Sequence, residues 1–436
     1  MNTFQNIKIM LVLLMVTTSL IAQQTPATKQ VKSVLIMNAV AHIGNGQVIE
    51  NSAIGLKNGK ITMVADARVI RLAANAYDTI IYAGGKHVYP GFISPNSTLG
   101  LVEIDAVAAS DDKNEIGDLK PHIRSIIAYN AESQVIESVR PNGILMAQIT
   151  PRGGRISGTS SVVQLDAWNW KDALIKEDDG IHLNWPATFS RAGFRSEIRT
   201  LEPNKDYAKQ TDELNTFFNN SKTYLKGKQS EKNVVFEAMN GLFDGKKTLF
   251  IHTNEEKSII DAIQFSKEQG VAKMVIIGGY ESYKVADLLK QHNIAVLLRR
   301  VHDLPIMAND DVDLPYKLAK LLTDKGIIVG LENSGDMERM NTRNLPFYAG
   351  TTVAYGLTKE QALSLITLNT AKILGIDQFC GSLEVGKDAT LFISEGDALD
   401  MRTNQLIVAF IQGRKISLET YQTNLFKRYT EKYKNQ

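Results

Sequence analysis

The sequence has few of the residues on which disulfide and metal-rich proteins depend. Its 436 residues include one cysteine, Cys380, which excludes an internal disulfide and any multi-cysteine zinc site. Seven histidines limit histidine-based metal chemistry. The 49 Lys and Arg residues against 47 Asp and Glu give a net charge of +2, too small to predict a nucleic-acid partner from bulk charge. A content of 44% hydrophobic and 22% charged residues is typical of a folded globular chain.

The first 22 residues predict a secretory signal peptide. Lys8 precedes an apolar run over residues 9–16, and the chain becomes polar at Gln23. This run is shorter than the roughly 20 residues of a membrane-spanning helix, and no later segment has an uninterrupted apolar run of that length. We expect cleavage after Ala22, with a buried N-terminal helix as the alternative. The prediction is an exported, periplasmic or secreted, soluble protein without an integral membrane segment after cleavage.

Both ends of the chain have the pattern of short strands. Near the N terminus, the Asn58-Gly59 pair lies between two alternating apolar segments, which is typical of a β-hairpin. Segments of similar composition occur at 381–393 and 406–414. We predict that residues 31–86 and 381–420 form one β-sandwich domain assembled from both ends of the chain.

The middle of the chain, residues 87–380, has the pattern of an α/β barrel. Apolar segments alternate with amphipathic helical segments at the spacing of βα units, which predicts a (β/α)₈ barrel of the TIM type. The third and fourth strands are separated by too few residues for a comfortable crossover helix, so one of them is alternatively part of a hairpin. A charged stretch near 190–247 predicts a helical insertion. The eight predicted strands lie at 88–94, 143–150, 161–166, 181–185, 248–253, 274–279, 295–300 and 327–332.

The motifs at the domain junctions resemble a known superfamily. The sequence YPGFI at 89–93 opens the predicted barrel, and GSLEVGKDA at 381–389 leads back into the sandwich. Together with the segments 356–363 and 366–375, which match a last barrel helix, they resemble the amidohydrolase superfamily. The similarity is closest to the imidazolonepropionase-like and prolidase-like bacterial amidohydrolases and extends over nearly the whole mature chain.

The resemblance implies one or two divalent metal ions at the C-terminal mouth of the barrel. The family ligands are an HxH pair after the first strand, often a carboxylated lysine, one histidine after each of strands five and six, and an aspartate after strand eight that also takes the proton of the attacking water. Here Asn96 and Thr98 occupy the two HxH positions, and they are poor replacements for imidazoles on a zinc-type ion. His252 matches the strand-five histidine. The resemblance therefore describes a divergent member that lacks the HxH motif.

The other metal positions are also altered. Glu281 is the nearest potential ligand after strand six, and Glu332 or Asn333 falls at the position of the strand-eight aspartate, with Asp336 further along. One divalent, zinc-type ion held by His252, Glu281 and Glu332 is conceivable, and no bound metal is the alternative. Glu332 and Asp336 are the candidates for a catalytic carboxylate.

The loops after several predicted strands also carry basic side chains, and in a barrel these loops lie on one face. Guanidinium groups bind carboxylates and phosphates in bidentate fashion, so these residues predict a mouth for a small anionic ligand. The alternative is that the arginines form structural ion pairs and the histidines are hydrogen-bonded packing residues. The candidate ligand-binding residues are Arg152, Arg155, His182, Arg299, Arg300, His302, Arg343 and Asn344.

Two functions follow from these observations. The first is an exported hydrolase of the amidohydrolase type that acts on a C–N bond of a small peptide or cyclic amide through an atypical site. The second is a non-catalytic relative, a pseudoenzyme that keeps the barrel as a binding subunit. Such a subunit would form a homo-oligomer or a complex with an active amidohydrolase.

Overall fold

The computed structural model describes residues 25–73, 75–192, 200–227, 231–307, 309–335 and 337–434. The predicted signal peptide over residues 1–22 lies outside the described residues, and so does Asp336. The strands, in chain order, are β1 (Val34–His42), β2 (Val48–Lys57), β3 (Lys60–Asp66), β4 (Thr79–Tyr82), β5 (His87–Pro90), β6 (Phe92–Ser97), β7 (Ile144–Ile149), β8 (Ile156–Gln164), β9 (Leu174–Asn184), β10 (Phe189–Ala192), β11 (Thr200–Pro203), β12 (Thr248–Thr253), β13 (Met274–Gly278), β14 (Ala295–Leu298), β15 (Val329–Leu331), β16 (Leu391–Ser394), β17 (Leu406–Ile411) and β18 (Arg414–Ile416). The α-helices are α1 (Gln134–Val139), α2 (Trp170–Ala173), α3 (Tyr207–Lys226), α4 (Val234–Ala238), α5 (Asn240–Phe243), α6 (Glu256–Glu268), α7 (Ala286–Gln291), α8 (Leu314–Asp324), α9 (Glu338–Asn341), α10 (Leu345–Ala354), α11 (Lys359–Ser364), α12 (Leu368–Leu374) and α13 (Tyr421–Lys434).

One eight-stranded sheet combines the two ends of the chain. Its strand order is β18-β17-β16-β5-β1-β2-β3, with β4 paired to β1, and the N-terminal and C-terminal halves join where β16 pairs with β5. Asn58 and Gly59 both have positive φ, at the hairpin turn that the sequence predicts. The prediction of a separate β-structure built from both ends is confirmed. The limits of the two domains stay a prediction.

The first barrel strand begins later than predicted. Residues 88–90 belong to β5 in the two-ended sheet, and the barrel strand β6 starts at Phe92. Gly91 separates the two strands because an added Cβ there would lie 2.9 Å from Thr390 and 3.0 Å from Leu145. A side chain at this position would therefore push the two sheets apart.

A second eight-stranded sheet, in the order β15-β14-β13-β12-β9-β8-β7-β6, forms the barrel. Most neighbouring strands are parallel, as in a TIM-type barrel, and the predicted fold class is confirmed. The third strand is the exception, because β8 runs antiparallel to both β7 and β9. The three strands form an up-and-down meander, so no crossover helix is needed where the sequence leaves too few residues for one.

The barrel sheet is nearly closed by a short stretch of irregular backbone between β15 and β6. The N–H of Leu331 donates to the carbonyl of Leu365, and the N–H of Ile93 donates to the carbonyl of Ile366. These bonds explain why the segments 356–363 and 366–375, which match one last barrel helix in the sequence, form two separate helices. The chain leaves the helical path after α11 to bridge the sheet and resumes as α12.

Helices and hairpins surround the barrel. The segment between β9 and β12 contains the β10–β11 hairpin and helices α3 to α5, in the part of the chain predicted as a helical insertion. Leu214, Phe217 and Phe218 of α3 are buried in the main hydrophobic core, so this helix contributes to the core. Among the described helices, none combines the length and apolar character needed to cross a membrane.

Candidate functional site

The first barrel strand ends in a bulge at Asn96. The β6–β7 register shifts between Ser94 and Ser97, and Asn96 has φ +48°, a left-handed conformation that asparagine tolerates better than most residues. The buried side chain donates from Nδ2 to Glu332 Oε2 at 3.2 Å, and its backbone N–H donates to Gln148 Oε1 at 2.9 Å. The bulge thus connects the first barrel strand to the second and the eighth.

Arg152 binds to the same asparagine from the loop after β7. Its Nη1 donates to Asn96 Oδ1 at 2.9 Å and its Nη2 to the Asn96 carbonyl at 2.8 Å. Nη2 also lies 2.9 Å and 3.0 Å from the two carboxylate oxygens of Glu338. Glu338 in turn accepts from the backbone N–H and the hydroxyl of Thr98 at 2.7 Å and 2.9 Å. We call Asn96, Thr98, Arg152 and Glu338 the arginine clamp.

A chain of polar side chains continues across the barrel interior. Gln148 Nε2 donates to Asp179 Oδ2 at 2.8 Å, and the hydroxyl of Ser160 donates to Asp179 Oδ1 at 2.7 Å. His182 Nε2 lies 3.0 Å from Ser160 Oγ, and His182 Nδ1 lies 2.9 Å from His252 Nε2. Together with Asn96 and Glu332, these five residues form what we call the interior network.

Burial shifts the ionisable groups of the network toward their neutral forms. It raises the pKa of Glu332 and of Asp179, because a carboxylate loses its hydration inside the barrel. Burial also lowers the pKa of His252 to about 3 and that of His182 well below its usual value, and the positive charge of Arg152 acts in the same direction. The guanidinium of Arg152 in the clamp therefore acts on the imidazoles of His182 and His252 in the interior network, and both imidazoles stay neutral.

The sequence comparisons agree with this barrel. Residues 229–418 match the model of the amidohydrolase family. The amidohydrolase tasK of Hapsidospora irregularis is 24% identical over 374 residues, which cover 74% of this chain. The family model and this relative support membership of the amidohydrolase superfamily. This chain spans 37% of the length of the tasK protein.

Solved structures share the fold. An amidohydrolase from Thermotoga maritima MSB8 is similar with a TM-score of 0.74 and 22% identity, covering 88% of this chain and 99% of that one. A Xaa-Pro dipeptidase with bound methionine in its active site is similar with a TM-score of 0.54 and 14% identity, covering 88% of this chain and 100% of the dipeptidase. The match to the family model supports a hydrolase at the level of the superfamily, and these neighbours show the fold.

The metal ions of the superfamily do not fit the residues of this barrel. Asn96 and Thr98 stand at the two HxH positions, and in the arginine clamp they hydrogen-bond to Arg152 and Glu338, respectively. The positive charge of Arg152 also disfavours protonation of His182 and His252. Within the described residues, no group of three or more His, Cys, Asp or Glu side chains is arranged to hold a metal ion. The site of His252, Glu281 and Glu332 conceived from the sequence is therefore not assembled.

Glu281 has a different role from the one considered for it. Its carboxylate accepts the backbone N–H of Glu256 at 2.7 Å, at the start of α6, and an ammonium hydrogen of Lys284 at 2.7 Å. A carboxylate satisfies the free N–H groups at a helix start, and these contacts hold Glu281 at the start of α6.

The predicted ligand-binding residues separate into several groups. Arg299 and Arg300 both lie against Gly335, beside a cleft that Tyr280 and Asp303 also line. Arg300 Nη2 donates to the Ser334 carbonyl at 3.1 Å, and Arg299 Nε lies 3.6 Å from Asp303 Oδ2.

The remaining candidates lie apart from this cleft or belong to the network. Arg155 donates from Nη1 to the Asn184 carbonyl at 3.0 Å. His302 contacts the hydroxyl of Thr351 at 2.7 Å and packs against aromatic rings. Arg343 is exposed and Asn344 is half-buried on the segment that precedes α10. The structure thus brings Arg152, His182 and His252 together and leaves His302 in a packing contact.

Four residues of the site were missed from the sequence. Gln148, Ser160 and Asp179 lie on barrel strands. The single polar residue of the apolar strand β7 was the available signal for Gln148, whereas Ser160 and Asp179 lie among other polar residues of β8 and β9 and had no such signal. Glu338 had no such signal, because it lies beyond β15 on the short helix α9. Its role is visible only when that helix is placed against β6.

The buried histidine pair predicts a loss of stability in acid. Folding lowers the pKa of His252 from 6.5 to about 3, so between these values the unfolded chain binds a proton that the folded chain does not. The contribution of His252 to the free energy of unfolding should therefore fall as the pH drops through this window, by about 3 kcal/mol after allowance for partial exposure of the ring. Urea unfolding at about pH 7 and about pH 4 measures this change.

The variant His252→Asn should show a smaller fall over the same interval, and the surface variant His292→Gln should match the wild type. An equally steep fall in His252→Asn would assign the acid sensitivity to other groups.

Proposed function

We propose that this chain is a non-catalytic amidohydrolase-like protein that uses its barrel mouth to bind a small anionic ligand. The observation that carries the proposal is the arginine clamp. Asn96 stands at the first of the two positions where the family needs histidines and holds the guanidinium of Arg152 together with Glu338, and the imidazoles of His182 and His252 are neutral. Several hydrogen bonds connect the four residues of the clamp. They support the view that this end of the barrel is stabilised without a metal ion.

The cleft beside Gly335 supports an anionic ligand. The side chain of Arg299 is 46% exposed there, and Arg300 reaches the same loop. An exposed guanidinium beside a second one suits a carboxylate or phosphate, which both can contact through paired N–H groups. The proposal places ligand recognition at Arg299 and leaves Arg152 as the structural cation of the interior.

Calorimetric titration of the full chain with N-acetyl amino acids tests this proposal. Each probe carries one carboxylate and an amide, as a ligand of an amidohydrolase barrel would. Arg299→Met should weaken binding about tenfold or more, since a charge-assisted hydrogen bond contributes about 1.5–3 kcal/mol. Arg402→Met, on the surface of the two-ended sheet, is the matched control and should bind like the wild type.

Metal analysis of protein purified without chelator, combined with peptidase and cyclic-amide assays, completes the test. A stoichiometric divalent ion, or turnover that a chelator abolishes, would contradict the non-catalytic reading. Failure of all anionic probes to bind would contradict the proposal that the barrel mouth binds an anionic ligand.

A hydrolase acting on a C–N bond of a small peptide or cyclic amide is the second candidate. The raised pKa of Glu332 favours it, because a buried carboxyl that holds its proton more strongly than usual is suited to donate it to a leaving nitrogen. Turnover that persists in chelator and is lost in Glu332→Gln would establish this activity.

Export and assembly with other chains also belong to the proposal. Export rests on the sequence of residues 1–22, and a mature N terminus near residue 23, measured by mass spectrometry of protein from its native host, would support it. A non-catalytic barrel is suited to act as a subunit of a homo-oligomer or of a complex with an active amidohydrolase. Copurification with an active amidohydrolase would support the complex of two different chains.

A further inference from the structure

Helix α13, at the C-terminal end of the chain, has no buried residue along its 14 positions. It is attached to the rest of the protein at its first turn, where the N–H of Tyr421 donates to Glu137 Oε1 of α1 at 2.7 Å. An isolated helix of this length is marginal in water, because packing of an apolar face usually supplies most of a helix's stability. The helix therefore has a face available for a partner.

Aromatic side chains occupy that face. Phe426, Tyr429 and Tyr433 follow one another at helical spacings of three and four residues and are 72%, 48% and 58% exposed. We call these three residues the aromatic face. Side chains of this size are seldom left in a row on a solvent-exposed helix without an interaction partner.

The charge of the helix selects the kind of partner. Residues 421–434 contain four basic residues and one acidic residue, a net charge of +3 in a chain whose total is +2. Two of the basic groups lie over rings of their own helix, with Arg428 5.3 Å from the Tyr429 ring and Lys432 5.2 Å from the Tyr433 ring. Cations beside the aromatic rings can reach phosphate headgroups while the rings enter the interface below them.

We propose that α13 is an interfacial helix that docks this protein on an anionic lipid surface. Tyr rings, which are apolar with a polar hydroxyl, suit the headgroup level of a bilayer, and the Phe ring can enter the apolar layer just below it. The basic residues supply electrostatic attraction to anionic lipids. A second copy of the same helix is a poorer partner, because pairing two aromatic faces would bring two sets of positive charges together. The helix lies in the plane of the interface, so this contact requires no membrane-spanning segment.

Cosedimentation of the full chain with vesicles tests the proposal. The wild-type protein should bind vesicles of phosphatidylcholine mixed with phosphatidylglycerol, and should bind pure phosphatidylcholine at least about tenfold more weakly. The triple variant Lys427→Gln/Arg428→Gln/Lys432→Gln should bind the mixed vesicles about a hundredfold more weakly, at about fivefold for each charge. A matched variant, Lys57→Gln/Lys171→Gln/Lys209→Gln, removes three exposed charges elsewhere and should retain binding.

A second variant tests the aromatic face itself. Phe426→Ser/Tyr429→Ser/Tyr433→Ser should lose vesicle binding and keep the wild-type urea unfolding curve, since none of these side chains is buried. Absence of wild-type binding, or equal binding to neutral and anionic vesicles, would overturn the proposal. A dimer in solution that this variant dissociates would also overturn it and assign the aromatic face to a second copy. Binding of N-acetyl amino acids at the barrel mouth is unaffected by either helix variant, so the two proposals fail separately.

Discussion

Replacing Arg152 with methionine should lower the free energy of unfolding by about 3–5 kcal/mol. The substitution keeps most of the aliphatic length and removes the guanidinium, which leaves the Glu338 carboxylate without its counter-charge. Asn96 loses hydrogen bonds to both its side-chain and its backbone oxygen in a buried position. Equilibrium unfolding in urea at neutral pH measures the effect.

A second variant separates the loss of the pair from the loss of one partner. Arg152→Met/Glu338→Leu should recover part of the lost free energy of unfolding, because a largely buried carboxylate without a cation destabilises the fold more than an apolar pair of similar volume does. Arg402→Met breaks an exposed pair with Asp400 and should change stability by less than about 1 kcal/mol. A change as small as this in Arg152→Met would show that the clamp contributes little to folding.

The second large effect is expected at Asp166, at the opposite end of the barrel. Its side chain is 3% exposed, and its oxygens lie 3.0 Å from Arg140 Nη1 and 2.9 Å from Arg414 Nη1. It also accepts the N–H of Ala27 at 3.0 Å. Asp166→Asn keeps the shape and removes the charge, which leaves two largely buried guanidinium groups without their carboxylate. We expect a loss of about 3–5 kcal/mol in the free energy of unfolding.

Thermal and urea unfolding of Asp166→Asn measure this loss. Asp324→Asn is the matched control, because it breaks an exposed pair with Lys320 on one helix and should be nearly neutral. Asp166 joins the barrel to Arg414 of the two-ended sheet, so the variant should also reduce the cooperativity between the two sheets. A single transition with unchanged midpoint would contradict the role assigned to this ion pair.

Most barrel strands were predictable because they are apolar segments that end in polar residues, whereas β8 and β9 carry several polar residues along their length. The family resemblance placed Asn96 and Thr98 at the barrel mouth, and for His252 the resemblance and the preceding apolar run agreed. The direction of the third strand was not predictable from composition, since a buried antiparallel strand and a buried parallel strand have the same apolar pattern. The short spacing before the fourth strand was the only signal of a hairpin.

The partners of the site residues were less predictable than their positions. Arg152 and Glu338 are far apart in sequence, and the contact between them depends on how α9 packs over the first strand. Glu281 follows a barrel strand as a family ligand would, yet the start of α6 lies within its reach and binds its carboxylate. Local pattern identifies which side chains end at the mouth, and tertiary packing decides which of them meet.

The reversed third strand also affects how the barrel can be assembled from the unfolded chain. Ile149 pairs with Ser161 and Val163 with Leu174 across short connections, whereas the parallel pairing of Gly180 with Thr248 closes a much longer loop. Closing a shorter loop costs less conformational entropy. The meander of β7, β8 and β9 is thus the part of the barrel that can order with the smallest entropic cost, and it provides edges onto which the later parallel strands can add.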